Sequence, residues 1–162
     1  MKLILIRHGD AEPGLDDSTR DLSDLGIEQS GWAAKILLGL QIVPEIIFCS
    51  PLCRAKQTAE EIRKVFPQPD LITSEHLTPL SDHRQILEIL VKLRCNSVLL
   101  VGHEPYLSIL ISLLTTGTRH GRFIISKGGI AVIHLDGSVS AGNGALRLLL
   151  QSDEIKVIQK ML

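Results

Sequence analysis

The stretch MKLILIRHGD, residues 1–10, sets the frame for the whole chain. Leu3–Ile6 is a continuous aliphatic run that stops abruptly at Arg7, His8 and Asp10. A short apolar run with a polar end reads as a strand buried on both faces. It is too short for the core of a signal peptide, and no small-residue cleavage site follows. The polar end matters more than the run. Charged and titratable groups set against apolar strands are costly unless something binds there.

The same punctuation recurs downstream. Glu45–Cys49, with Ile46, Ile47 and Phe48, reads as a second strand, and Leu71–Thr73 as a short third. Ser97–Val101 is the clearest buried strand, and Ile130–Leu135 and Leu146–Leu150 follow it. Helical patterns separate them. From Leu22 to Leu40, the residues Leu25, Trp32, Ile36 and Leu40 recur near helical spacing, with Ser23 as N-cap. Pro51 opens a helix in which Ala55, Ala59, Ile62 and Phe66 share a face. Asp82–Leu93 repeats the spacing through Ile86, Leu90 and Leu93, and Pro105–Leu114 reads as a largely buried helix.

Strand–helix alternation predicts an α/β fold, a three-layer sandwich around a mostly parallel sheet. The last two strands, joined through the glycine-rich turn Gly137–Gly144, suit an antiparallel hairpin at one edge. No linker, repeat or low-complexity block interrupts the pattern, so residues 1–162 are expected to form a single domain.

Composition narrows the function classes. Seventeen Lys and Arg against eighteen Asp and Glu give a formal net charge of −1, which disfavours a polybasic nucleic-acid binder. One Trp, one Tyr and three Phe are too few for a base-stacking platform. No apolar stretch approaches the ~20 residues that span a bilayer. Three cysteines, an odd count without metal spacing, fit a reducing compartment, so the expected location is cytoplasmic.

In parallel sheets, ligand groups collect beyond the carboxyl ends of the strands. After the first strand come Arg7, His8 and Gly9; after the second come Ser50 and Pro51, with Arg54 on the following first turn; after the fourth come Gly102, His103 and Glu104. Two imidazoles and two guanidiniums are thereby gathered at one rim. The arginine fork matches phosphate oxygens, and helix N-termini near Pro51 and Pro105 add positive dipole ends. The chemistry implied is a pocket for a compact dianion. Metal binding is the weaker use, because the arginines would repel a cation and only Asp10 and Glu104 offer carboxylates. Attack on phosphorus needs a neutral ring nitrogen and positive donors on the equatorial oxygens, which these residues supply.

Three motifs carry a family resemblance. Arg7-His8-Gly9, the string Ser50-Pro51-Leu52-Cys53-Arg54-Ala55-Lys56-Gln57-Thr58 and the later Gly102-His103 resemble the histidine phosphatase superfamily, with its phosphoglycerate mutase-like fold. The resemblance runs from residue 2 to about residue 116. It implies that His8 is the phosphorylated nucleophile and that Arg7, Arg54 and His103 hold the phosphoryl group, with no metal or organic cofactor. Gly9 and Arg20 are expected to contribute to substrate binding. Arg7–Ala11 (RHGDA), the Leu77-Thr78-Pro79 segment and the short chain are similar to the small SixA-type phosphohistidine phosphatases. The implied substrate is phosphohistidine on a signalling protein such as a histidine phosphotransfer domain. Two alternatives stay open: a phosphomonoesterase acting on a sugar-phosphate-type metabolite, and a non-catalytic module that binds phosphoproteins.

Other residues have plainer readings. Glu104, Glu75 and His76 are candidates for a general acid by position alone. Cys49 and Arg54 are separated by four residues, one short of the cysteine-phosphatase spacing, so Cys49 and Cys53 read as small hydrophobes.

Overall fold

The computed structural model describes residues 1–161. Its centre is a six-stranded sheet ordered β3-β2-β4-β1-β5-β6. The strands are β1 (Lys2–Arg7), β2 (Ile46–Cys49), β3 (Asp70–Thr73), β4 (Ser97–Gly102), β5 (Ile130–Leu135) and β6 (Gly144–Leu150). The helices are α1 (Asp24–Gly39), α2 (Cys53–Val65), α3 (His83–Lys92), α4 (Tyr106–Thr116) and α5 (Ser152–Gln159). The first four strands in spatial order run parallel. β5 pairs antiparallel with β1, and β6 with β5, so the expected hairpin forms one edge.

Strand periodicity explains the two cores. Leu3 and Leu5 of β1 join Val98 and Leu100 of β4 and the inner faces of α3 and α4. Ile4 and Ile6 join Leu99 and Val101 and the inner faces of α1, α2 and α5. Alternate side chains of a strand point to opposite faces, and here both faces are covered. That is why the N-terminal run is aliphatic throughout rather than alternating. Each fully buried Leu or Ile contributes about 1.5–3 kcal/mol over an exposed one.

Two expectations are corrected. Of Leu25, Trp32, Ile36 and Leu40, only Ile36 is buried; Leu25 and Leu40 are exposed. The inner face of α1 is instead Gly26, Ser30, Ala33, Ala34 and Leu37. Small residues let the helix lie close to its neighbours, and apolar periodicity does not register them. The second helix begins at Cys53 rather than Pro51, because Leu52 is extended and serves as N-cap. α5 was not anticipated. Its capping box uses Gln151 with Glu154, in place of the usual Ser, Thr, Asp or Asn cue.

One backbone contact links the fold to the site. A Cβ at Gly9 would lie 2.4 Å from the Gly26 carbonyl oxygen, and one at Gly26 would lie 2.0 Å from the Asp10 carbonyl oxygen. The loop after β1 therefore rests directly on the first turn of α1. Gly31, in the same helix, meets nothing within 4 Å. Gly26→Ala is expected to cost roughly 1–3 kcal/mol by overpacking. Gly31→Ala is expected to stabilise by about 0.5–1 kcal/mol through helix propensity. Thermal melts of the two variants check this, and a tolerated Gly26→Ala contradicts the close-approach account.

Candidate active site

The three expected strand ends meet. Parallel pairing places Arg7 opposite Gly102. The His8 amide donates to the Gly102 carbonyl at 3.0 Å, and the Ser50 amide donates to the Val101 carbonyl at 3.0 Å. His8, Arg54 and His103 are all buried, at 6%, 5% and 1% exposure, which is unusual for groups of this polarity and shows a built site rather than a solvated rim.

The His8 imidazole is held from both ends. Nδ1 lies 2.7 Å from the Gly9 carbonyl oxygen, and Arg54 Nε donates to Nε2 at 3.2 Å. A guanidinium nitrogen can only donate, and a carbonyl can only accept. The proton therefore sits on Nδ1, and Nε2 keeps its lone pair. The acceptor that fixes this tautomer is a main-chain atom, invisible in residue identity. Burial is the main force that lowers the His8 pKa to about 4, with the Arg54, Arg7 and Lys127 charges adding to it against the Gly9 hydrogen bond. The ring is thus neutral at pH 7, as a nucleophile requires.

Arg54 spends its other nitrogens on Asp17. Nη1 donates to the Asp17 main-chain carbonyl at 2.5 Å, and Nη2 to Oδ2 at 2.9 Å. Asp17 Oδ1 accepts from Arg20 Nη1 at 3.1 Å. Arg20 also donates to the carbonyls of Glu12 and Ala11. Its guanidinium fastens the 12–20 loop and meets the pocket through Asp17.

The His103 ring stands 4.9 Å from that of His8, centroid to centroid, tilted by 53°. Both of its ring nitrogens are buried without a hydrogen-bond partner, as is Arg7 Nε. Burial, then the neighbouring His8 and Arg54, lowers the His103 pKa to about 3. Unpaired buried polar groups cost roughly 1–3 kcal/mol each, and a compact anion would satisfy several at once. Arg7 is anchored through Nη1 to the Ile125 carbonyl at 3.0 Å.

Gly9 is placed differently from a phosphate-binding amide. Its N–H donates to Thr58 Oγ1 at 3.1 Å, and its carbonyl holds His8. Thr58 in turn donates to the Arg54 carbonyl, closing a link between the first two motifs. Glu104 accepts from Ser108, while its other carboxylate oxygen is buried and unpaired, and burial pushes its carboxyl pKa up. Glu75 and His76 lie in a 3-10 turn, where His76 Nδ1 meets Gln85 Oε1. Cys49 is fully buried in β2. Sequence reasoning missed Asp17, the Ile125 carbonyl and the Lys127–Asp10 ion pair at 2.6 Å. Thr58 was within reach, because it closes the second motif. A 520 Å³ cavity lined by Leu38, Val43, Phe66 and Pro69 lies away from these groups, at the opposite ends of β2 and β3.

Known proteins are similar in sequence and fold. The family profile of the histidine phosphatase superfamily (branch 1) matches residues 3–79. The phosphohistidine phosphatase SixA of Escherichia coli K12 is 31% identical, over 97% of this chain and 98% of its own. A structure of the protein histidine phosphatase SixA complexed with tungstate superposes with a TM-score of 0.83 at 30% identity, covering 94% of this chain and 98% of that one. The alpha-ribazole phosphatase of Shigella flexneri, at 19% identity, shares the fold with a TM-score of 0.70 over 94% of this chain and 97% of its own. With sequence similarity over nearly the whole length added to the converged strand ends, the chain belongs to the histidine phosphatase superfamily.

Proposed function

We propose that this protein is a phosphohistidine phosphatase that works through a covalent phosphohistidine on His8. The observation that carries the reading is the neutral His8 imidazole, its proton held on Nδ1 by the Gly9 carbonyl and its Nε2 lone pair facing the Arg54 guanidinium that donates to it. A bound phosphoryl oxygen takes over the Arg54 Nε donor, and the freed Nε2 lone pair attacks phosphorus, forming the new N–P bond while the bond to the leaving group breaks. Arg7, Arg54 and His103 hold the equatorial oxygens as charge redistributes. Water then attacks the phosphorylated His8 and releases inorganic phosphate. Gly9 and Arg20 position rather than grip: the first fixes the His8 tautomer, the second fixes Asp17 against Arg54.

The leaving group follows from what surrounds the pocket. Only Ser74–Asp82 joins β3 to α3, with a single 3-10 turn inside it. That connection is too short to form a lobe closing over a small metabolite, so the pocket suits a group displayed on a protein surface. An alkoxide leaving group gains typically ~10²–10⁴-fold from a positioned proton donor. An imidazole protonated by solvent on its distal nitrogen departs as a neutral ring and needs no such donor. The partner we assign is a protein bearing phosphohistidine, such as a histidine phosphotransfer domain. We place the reaction in the cytoplasm, in keeping with three free cysteines and no helix, among the described residues, long and apolar enough to cross a membrane.

Wild type should release phosphate from a phosphohistidine protein and carry a transient phosphate on His8 in rapid-quench mass spectrometry. His8→Ala should lose both, with turnover down by at least about 10³-fold. Undiminished release by His8→Ala would overturn the mechanism. Much faster hydrolysis of small phosphomonoesters than of phosphohistidine would overturn the substrate.

The depressed His8 pKa also predicts a pH dependence. Between about pH 6.5 and pH 4 an unfolded imidazole binds a proton that the native one refuses. The unfolded state then holds more protons, so stability is full above pH 6.5 and declines as pH falls toward 4. His103 acts in the same direction. Imidazole ¹⁵N spectra should show His8 still neutral and Nδ1-protonated near pH 5.5. A His8 titration at about 6.5 would contradict the clamp.

A further inference from the structure

Asp17 is the feature that the phosphoryl-transfer scheme does not use. It lies on the 12–20 loop, outside the three motifs. Its carboxylate rests on Arg54 at 2.9 Å, yet its side chain is 61% exposed while that of Arg54 is 6% exposed. The carboxylate therefore stands between the buried floor of the pocket and the solvent. Its charge reaches inward as well, favouring the protonated form of His103. Of the neighbouring carboxylates, Asp10 is taken by Lys127 and Ser23, while Glu104 accepts from Ser108 with one oxygen and keeps the other buried and unpaired near Arg7, away from the solvent side. Among the described residues, Asp17 is the one carboxylate bonded to Arg54. The hydrogen bond from Arg54, with that from Arg20, lowers its carboxyl pKa against the opposing effect of burial, so it is ionised at neutral pH.

A fixed negative charge beside an arginine that grips phosphate weakens anion binding. Its position gives it a compensating use. Asp17 sits on the solvent side of the buried Arg54, the side on which the rest of a protein-borne substrate would lie. We propose that Asp17 is a specificity-determining residue, a charge filter at the mouth that repels substrates with a second anionic group and favours a leaving group that is cationic before it departs. A phosphohistidine ring protonated on its distal nitrogen is such a group. When the N–P bond breaks, its electron pair stays on the leaving nitrogen and the ring departs as neutral imidazole, while His8 Nε2 gains the bond to phosphorus. A phosphomonoester that also bears a free carboxylate presents the opposite charge and meets repulsion. This deepens the proposed function and rests on it for the identity of the favoured leaving group.

The test uses a matched pair, 3-phosphoglycerate and glycerol 3-phosphate, which differ in a carboxylate. Binding to wild type, Asp17→Asn and Asp17→Glu is followed by the His8 and His103 imidazole signals at up to millimolar ligand. The readout is the ratio of the two dissociation constants. Asp17→Asn should shift that ratio about threefold toward 3-phosphoglycerate, the size expected of one solvent-screened charge at roughly 6 Å. The shift should shrink at about 0.5 M salt, and Asp17→Glu should retain the wild-type ratio. In turnover, Asp17→Asn should lose kcat/KM on phosphohistidine relative to phenyl phosphate. Equal changes for both ligands would show that Asp17 acts only by occupying Arg54, and would overturn the filter. A ratio that shifts as expected while wild type leaves phosphohistidine intact would uphold the filter and refute the proposed substrate.

Discussion

The hydrogen bond from Arg54 Nε to His8 Nε2, read together with the Gly9 carbonyl on Nδ1, is the constraint on which the rest of the site depends. It decides which nitrogen carries the proton, keeps the ring from turning and sets the strongest positive charge beside the lone pair. The fold serves that contact. His8 leaves β1 in register with the end of β4, and its loop is seated on Gly26 with no room for a side chain. Arg54 is presented by the first turn of α2, whose Thr58 reaches back to the Gly9 amide. Moving any of the three pieces moves the nucleophile against its partner.

Burial has two opposite consequences here. It depresses the proton affinity of His8 and His103, which keeps the nucleophile neutral, and it leaves the His103 nitrogens and Arg7 Nε without partners. A site of this kind costs stability until a polar ligand arrives. That cost is carried by the aliphatic cores on both faces of the sheet, where β1 and β4 are almost wholly enclosed. The arrangement resembles other active sites in which strain and desolvation are concentrated at the chemistry and offset by packing elsewhere.

The motifs were legible because their residue types are out of place. Arg7, His8, His103 and Arg54 follow apolar strands at positions where neutral residues would be cheaper, and all four converge as the strand pattern required. Asp17 was not legible, since an exposed aspartate in a polar loop looks like any solvated charge until Arg54 is seen beneath it. The inner face of α1 was misread for a related reason. Its contacts are made by glycine, serine and alanine, whose smallness is the point and whose hydrophobic signal is weak.

What the sequence determined by itself was the order of elements as far as β6, the parallel sheet and the four side chains at its rim, because these follow from local periodicity and from the cost of burying charge. What only the tertiary structure decided was the protonation state of His8 and the carboxylate across Arg54. The first depends on a main-chain carbonyl, which every residue possesses, and the second on a contact between residues 17 and 54, whose separation along the chain encodes no distance in space.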